Sequence, residues 1–203
     1  MDNDMLKGFW LLSNSDEIMD RHNILVLQDR ERSDFKATKL WEPGSQIDES
    51  LELVYWLETG TIDKLWTFDY LPGTASCPVV TERMKNALEE CIPASDVGFR
   101  KCDVFDRQGN SMEAYTTFPK NCRRCVDRDA SDADWFIPSL KPDRIMITKS
   151  RHIIWAEENF SELNIVRVRE YMPSIIVSNI VKETFERINS KGLSFSRKGK
   201  IPL

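Results

Sequence analysis

Two segments far apart in the chain share one pattern, and that pattern restricts the fold more than any other feature. Pro78-Val79-Val80-Thr81 leads into Glu82-Arg83-Met84-Lys85-Asn86-Ala87-Leu88-Glu89-Glu90-Cys91, and Val97-Gly98-Phe99 follows. Downstream, Ile175-Ile176-Val177-Ser178 leads into Asn179-Ile180-Val181-Lys182-Glu183-Thr184-Phe185-Glu186-Arg187-Ile188, and Gly192-Leu193-Ser194-Phe195 follows. With Thr81 set over Ser178, Val80 meets Val177, Lys85 meets Lys182, Leu88 meets Phe185 and Glu89 meets Glu186. Each segment predicts a short apolar strand, a hydroxyl N-cap, an amphipathic helix and a second strand. Thr or Ser suits the cap because its oxygen accepts an otherwise unpaired N–H of the first turn. One helix should bury Met84, Leu88 and Cys91 and the other Val181, Phe185 and Ile188, the spacing of a single helix face. The pattern is architectural, since neither copy places an evident nucleophile, base or metal ligand.

A chain of 203 residues is long enough for a real core and fits one domain, 1–203. A division near residue 75 would give an N-terminal β-rich lobe, 1–75, and a repeat-bearing α+β region, 76–203. The net charge of −5 argues against a general nucleic-acid binder, which carries a basic face. Charge is unevenly placed. Residues 42–69 hold Glu42, Asp48, Glu49, Glu52, Glu58, Asp63 and Asp69 against Lys64, whereas Arg187, Lys191, Arg197, Lys198 and Lys200 follow Glu186 without an acid. Such an acidic surface can steer a basic partner. The acidic start Met1-Asp2-Asn3-Asp4 is not a secretory signal, and no run reaches the length of a membrane span. Five scattered cysteines, an odd number, suit reduced thiols in the cytoplasm better than a secreted disulfide framework.

The rest of the chain reads as strands. Residues 8–12 and 23–27 are apolar runs that read as strands or a loose hairpin. Pro43-Gly44 marks a turn, 51–57 a strand, and 65–68 another. Asp106-Arg107-Gln108-Gly109-Asn110 is a turn signal before a return strand over 111–118, in which Met112, Ala114 and Thr116 alternate with Glu113, Tyr115 and Thr117. Residues 145–148, 153–155 and 165–168 are short strand candidates, and 127–134 reads as an acidic loop. Many strands with two well-defined helices predict an α+β fold with a mixed or antiparallel sheet and two strand–helix–strand units, an internal repeat.

Three candidates for chemistry follow. Cys122-Arg123-Arg124-Cys125 is the tight cysteine pair. As a zinc site it would need a second pair of ligands at matching spacing. As a redox motif it should open a helix with a lowered thiol pKa. Asp127, Asp129, Asp132 and Asp134 alternate as in a cation loop, yet lack its glycine and terminal Glu. Their other reading is a partner-facing surface ending in Trp135-Phe136, an aromatic pair of the kind that anchors interfaces. No Gly-rich phosphate loop, HExxH or GxSxG occurs. The residues therefore point away from an enzyme and toward no metal and no cofactor.

The repeat-bearing region resembles the bacterial immunity-protein family encoded beside polymorphic toxins and type VI secretion effectors. The matching residues are Pro78-Val79-Val80-Thr81-Glu82-Arg83 with its helix and Cys125-Val126-Asp127-Arg128-Asp129-Ala130-Ser131. Ile165-Val166-Arg167-Val168 and Ile175-Ile176-Val177-Ser178 follow, with the second helix and Gly192-Leu193-Ser194-Phe195. The resemblance covers 75–198, and Thr81 stands where the family's first cap is usually Ser. It implies a cytoplasmic, non-catalytic protein that binds a cognate toxin or effector, with no nucleic acid, membrane or cofactor involved. Asp127, Asp129, Asp132, Asp134 and Trp135 are the residues expected to face that partner. The alternatives are a small thiol enzyme or redox protein using Cys122 and Cys125, and a regulatory adaptor with no toxin.

Overall fold

The computed structural model describes residues 8–14, 27–28, 52–71, 78–139, 144–171 and 173–196. Residues 23–26, the Pro43-Gly44 turn, Glu42, Asp48, Glu49, Cys77 and the basic Arg197, Lys198 and Lys200 lie outside them. In chain order the elements are β1 (Phe9–Asn14), β2 (Leu27–Gln28), β3 (Leu53–Leu57), α1 (Ile62–Leu65), β4 (Tyr70–Leu71), β5 (Val79–Val80), α2 (Glu82–Cys91) and β6 (Val97–Phe105). Then come β7 (Ser111–Pro119), β8 (Cys122–Arg123), β9 (Asp132–Phe136), β10 (Met146–His152), β11 (Ile165–Val168), β12 (Ile175–Ser178), α3 (Asn179–Arg187) and β13 (Leu193–Ser196). A short 3-10 turn spans Glu157–Asn159. The described residues are mostly sheet.

The strands form a six-stranded sheet, β2-β3-β6-β7-β5-β4, a five-stranded sheet, β13-β1-β12-β11-β8, and the pair β10-β9. Both larger sheets are mixed. β3 runs parallel to β6 and β8 parallel to β11, while the other pairings are antiparallel. Strands from before and after residue 75 share the six-stranded sheet. Of the second apolar run at the start of the chain only Leu27 is described, so the expected pairing over 23–26 lies outside the described residues. β1 joins the five-stranded sheet and β2 the six-stranded one, because β1 finds its partners in β12 and β13. Trp10 Nε1 there donates to Asn179 Oδ1 at 2.6 Å, a contact across 169 positions.

The core has three parts. Leu53, Tyr55 and Val104 meet Ile62 and Leu65 of α1 on one side of the six-stranded sheet. Met84, Leu88, Val181 and Phe185 meet Leu12, Val80 and Val177 in a central cluster fed by both helices and both larger sheets. Leu11, Val166 and Ile176, the alternate residues of the five-stranded sheet, point the other way onto Ile147, Ile153 and Phe160. Strand periodicity of two thus divides β1, β11 and β12 between two cores. At the turn after β6, Asp106 accepts from the N–H groups of Gln108 and Asn110 at 2.9 Å each, and Gly109 takes φ +87°.

The helix faces fall as their spacing predicts at Met84, Leu88, Val181 and Phe185, whereas Cys91 and Ile188 are only half-buried. The two N-termini differ. Thr81 Oγ1 accepts from Met84 N at 3.4 Å, but Ser178 makes no capping bond, its hydroxyl lying 3.3 Å from Asn164 Oδ1 instead. The strand expected over 65–68 is absent. Ile62 and Leu65, three apart, both turn inward from a short helix and leave Trp66 58% exposed. Asp106 accepts the Ile62 N–H at 3.2 Å and fixes the start of that turn. Residues 153–155 form no strand either, only a bridge from Trp155 to Val126.

Asp69 ties these parts together. Its buried carboxylate accepts from Thr81 Oγ1 at 3.1 Å, Arg83 Nε at 2.9 Å and Lys191 N at 3.0 Å, and pairs with Arg83 Nη2. Arg83 Nη1 also donates to Ile188 O at 2.9 Å, so the first helix grips the end of the second.

Candidate functional site

A cleft of ≈ 480 Å³ opens where the segment 124–129 faces Trp135 of β9, the 3-10 turn and the β11–β12 turn. Three sets of backbone bonds hold its wall. β8 pairs with β11, and Arg169 N donates to Arg123 O at 2.8 Å. Ala156 N donates to Cys125 O and Asp127 N to Ile154 O, both at 2.9 Å. At the floor, Glu170 Oε2 accepts the Cys125 N–H at 3.0 Å, and its carbonyl accepts from Ile147 N at 2.8 Å. Glu170 therefore joins the wall to β10. Burial pushes its carboxyl above the usual carboxylate range, opposed by the N–H groups it accepts and by nearby Arg124.

Within the wall, Cys125 and Val126 point into the core. Asp127 Oδ1 accepts from Asp129 N at 3.0 Å and Ala130 N at 3.1 Å, which closes a tight turn on a side chain. Ser131 Oγ completes it, accepting from Ile154 N at 2.9 Å. The Arg128 guanidinium lies 5.9 Å from the centroid of Trp135, a cation over an aromatic face. Asp127, Asp129 and Glu158 thus share the cleft with Arg124, Arg128 and Arg169, around a rim of Trp135 and Ile145. The surface is mixed in charge.

Of the residues expected to face a partner, Asp127, Asp129 and Trp135 line this cleft, and Asp132 and Asp134 do not. The stretch 127–134 is not one loop, because Asp132 and Asp134 belong to β9, paired with β10. A strand tolerates them there since both face solvent and share Arg151, whose Nε lies 2.7 Å from Asp132 Oδ1 and whose Nη2 lies 3.0 Å from Asp134 Oδ1. The Arg151 hydrogen bond holds the Asp134 carboxyl below its usual range. Phe136, on the same outward face, is 51% exposed, while Trp135 packs inward against the third core. The exposed aromatic of the pair is Phe136. The sequence reading missed Arg124, Arg128, Arg169, Glu158 and Glu170. Arg124 and Arg128 stood inside or beside the shared segment, but nothing local marks Glu170.

The cysteine pair is not arranged for redox work. Cys122 lies in β8 and Cys125 in the bend after it, so neither opens a helix. Burial pushes both thiols up, and Cys125 Sγ donates to Arg123 O at 3.3 Å. Cys102 is likewise pushed up to about 12 by burial. These are the environments of inert rather than attacking thiols. Among the described residues, no group of three His, Cys, Asp or Glu side chains is arranged to hold a metal, and no helix is long and apolar enough to cross a membrane.

The model of one protein family, described as Immunity protein family (Imm11), matches residues 8–200. The match reaches well beyond the 75–198 of the sequence resemblance and takes in β1 to β4. No curated protein matches the chain.

Proposed function

Because the chain belongs to the Imm11 immunity-protein family, we propose that it neutralises a cognate toxin by direct stoichiometric binding, and that the cleft beside Trp135 is part of the contact surface. One observation carries the choice of surface. Segment 125–131, one of the segments that carry the family resemblance, lines the cleft through Val126, Asp127, Arg128 and Asp129, and its polar groups are used in two ways. Asp127 and Ser131 are spent on holding the turn and Arg128 lies over Trp135, whereas Asp129 is exposed and its carboxylate makes no ion pair among the described residues. A scaffolded turn that presents an uncommitted charge beside an aromatic suits recognition, since loops on rigid frames are where binding residues concentrate.

The action is non-catalytic in this reading, in the cytoplasm, on a toxin of the secreted-effector kind that includes type VI effectors. Those finer points rest on the family resemblance and on the four free thiols among the described residues.

The test is co-expression with the product of the adjacent gene, followed by affinity capture and by association kinetics for an Asp129→Lys variant. Capture at a 1:1 ratio is expected. The charge reversal should slow association by roughly ten-fold at low salt, with unfolding temperature unchanged, because rim charges act mainly on the on-rate. Failure to capture the neighbouring product counts against direct binding. Parent-like kinetics in the variant would remove the cleft from the contact surface while leaving the binding itself in place.

A further inference from the structure

We infer that the protein is built from two copies of one unit of three strands and a helix, paired with each other through their helices. In the first copy, β5, α2 and β6 are followed by β7, which inserts between β5 and β6 and runs antiparallel to both. In the second, β12, α3 and β13 enclose β1, which comes earlier in the chain and is again antiparallel to both. The centre strand is thus supplied from opposite sides of the helix-bearing segment.

The registers agree. Val80 stands opposite Tyr115, and Phe99 opposite Thr117, two residues further along β7. Val177 stands opposite Trp10, and Phe195 opposite Leu12, two residues further along β1. The buried helical positions agree as well: Met84, Ala87 and Leu88 in α2 match Val181, Thr184 and Phe185 in α3.

A four-residue constellation recurs on both helices. Lys85 Nζ lies 2.7 Å from Glu89 Oε2, and 5.8 and 5.3 Å from the ring centroids of Phe99 and Tyr115. Lys182 Nζ lies 2.6 Å from Glu186 Oε1, and 5.9 and 4.6 Å from those of Phe195 and Trp10. The two lysine side chains are 20% and 19% exposed. Tyr115 and Trp10 lie outside the two segments that match in sequence, so their equivalence is independent of that match. Strand direction, register and the places of Tyr115 and Trp10 are not contained in the sequence match, and one origin accounts for them together with it.

Two consequences follow for how the parts work. The apolar face that each helix would otherwise leave open is covered by the helix of the other copy, with Arg83 donating to Ile188 O across the joint. The cleft wall 124–129 and the β9–β10 pair belong to neither copy, so they are an addition to a duplicated frame. Lys85 and Lys182 take the same part, holding each helix on the aromatic rings of its own sheet.

Native-state hydrogen exchange on the full chain tests this with Lys85→Met and Lys182→Met. Each variant should lower amide protection about two- to five-fold in its own helix, the equivalent of a cation held over aromatic rings, and leave the other helix unchanged. Trp10→Leu and Tyr115→Leu, which empty the same constellations from the sheet side, should give the same division. The inference is overturned if either pair leaves its own helix unaffected, or if both copies' variants loosen the same helix. The outcome does not depend on the partner.

Discussion

Glu170 shows how one side chain joins architecture to acid–base behaviour. Its carboxyl is buried and sits above its ordinary pKa of 4.5, so the folded protein holds this proton more tightly than the unfolded chain. The contribution of such a group to stability is greatest below the unfolded pKa and declines as pH rises through the folded one. Glu170→Gln keeps an oxygen for the Cys125 N–H and cannot ionise. Thermal unfolding of parent and variant should therefore show the Gln form gaining relative stability as pH rises above 4.5; a difference that stays constant, or falls, would contradict the buried-acid reading. Asp106 works in the opposite sense. Its Asn110 side-chain partner, with the N–H groups of Ile62, Asn110 and Gln108, holds it below 3.8, so its contribution is present at neutral pH and lost in strong acid.

At the level of elements, the two helix starts separate what a cap residue is from what it does. Thr81 accepts the Met84 N–H and donates to Asp69, whereas Ser178 caps nothing with its side chain. Thr81→Ala should cost about 1–2 kcal/mol and Ser178→Ala about 0.5 kcal/mol, measured by urea unfolding. Equal losses would mean that the hydroxyl geometry is not what stabilises α2. Both helices were legible in the sequence because caps and helical spacing are local. α1 was not, because Ile62 is held by Asp106, 44 positions away, and the apolar run after it reads equally well as a strand. β9 was hidden for a related reason: two aspartates argue against a strand until Arg151 is placed beside them. Of the cleft, Asp127, Asp129 and Trp135 stood out as an acidic stretch beside an aromatic, but Glu170 reaches Cys125 from 45 positions away and carries no mark of its own.

Across the whole molecule, the order in which the sheets can close differs. The β6–β7 hairpin is joined by a short turn, and the six-stranded sheet that it centres uses strands from Leu27 to Pro119. The five-stranded sheet is another matter, because β1 is made early and must wait for β12 and β13. Bringing such distant segments together carries a loop-closure cost before any contact compensates, and topologies of this kind fold slowly. Pulse-labelled exchange during refolding should find β6 and β7 amides protected before those of β1, and the reverse order would refute this account. The late arrival of β1 also sets a time at which the protein becomes useful. A chain emerging from the ribosome contains residues 124–129 before Glu170 exists to fix them, and the sheet behind the wall stays open until its last strands are made. On the function proposed above, binding therefore waits until the chain has been made through Ser196, and protection comes from stock already folded rather than from chains still short of that point.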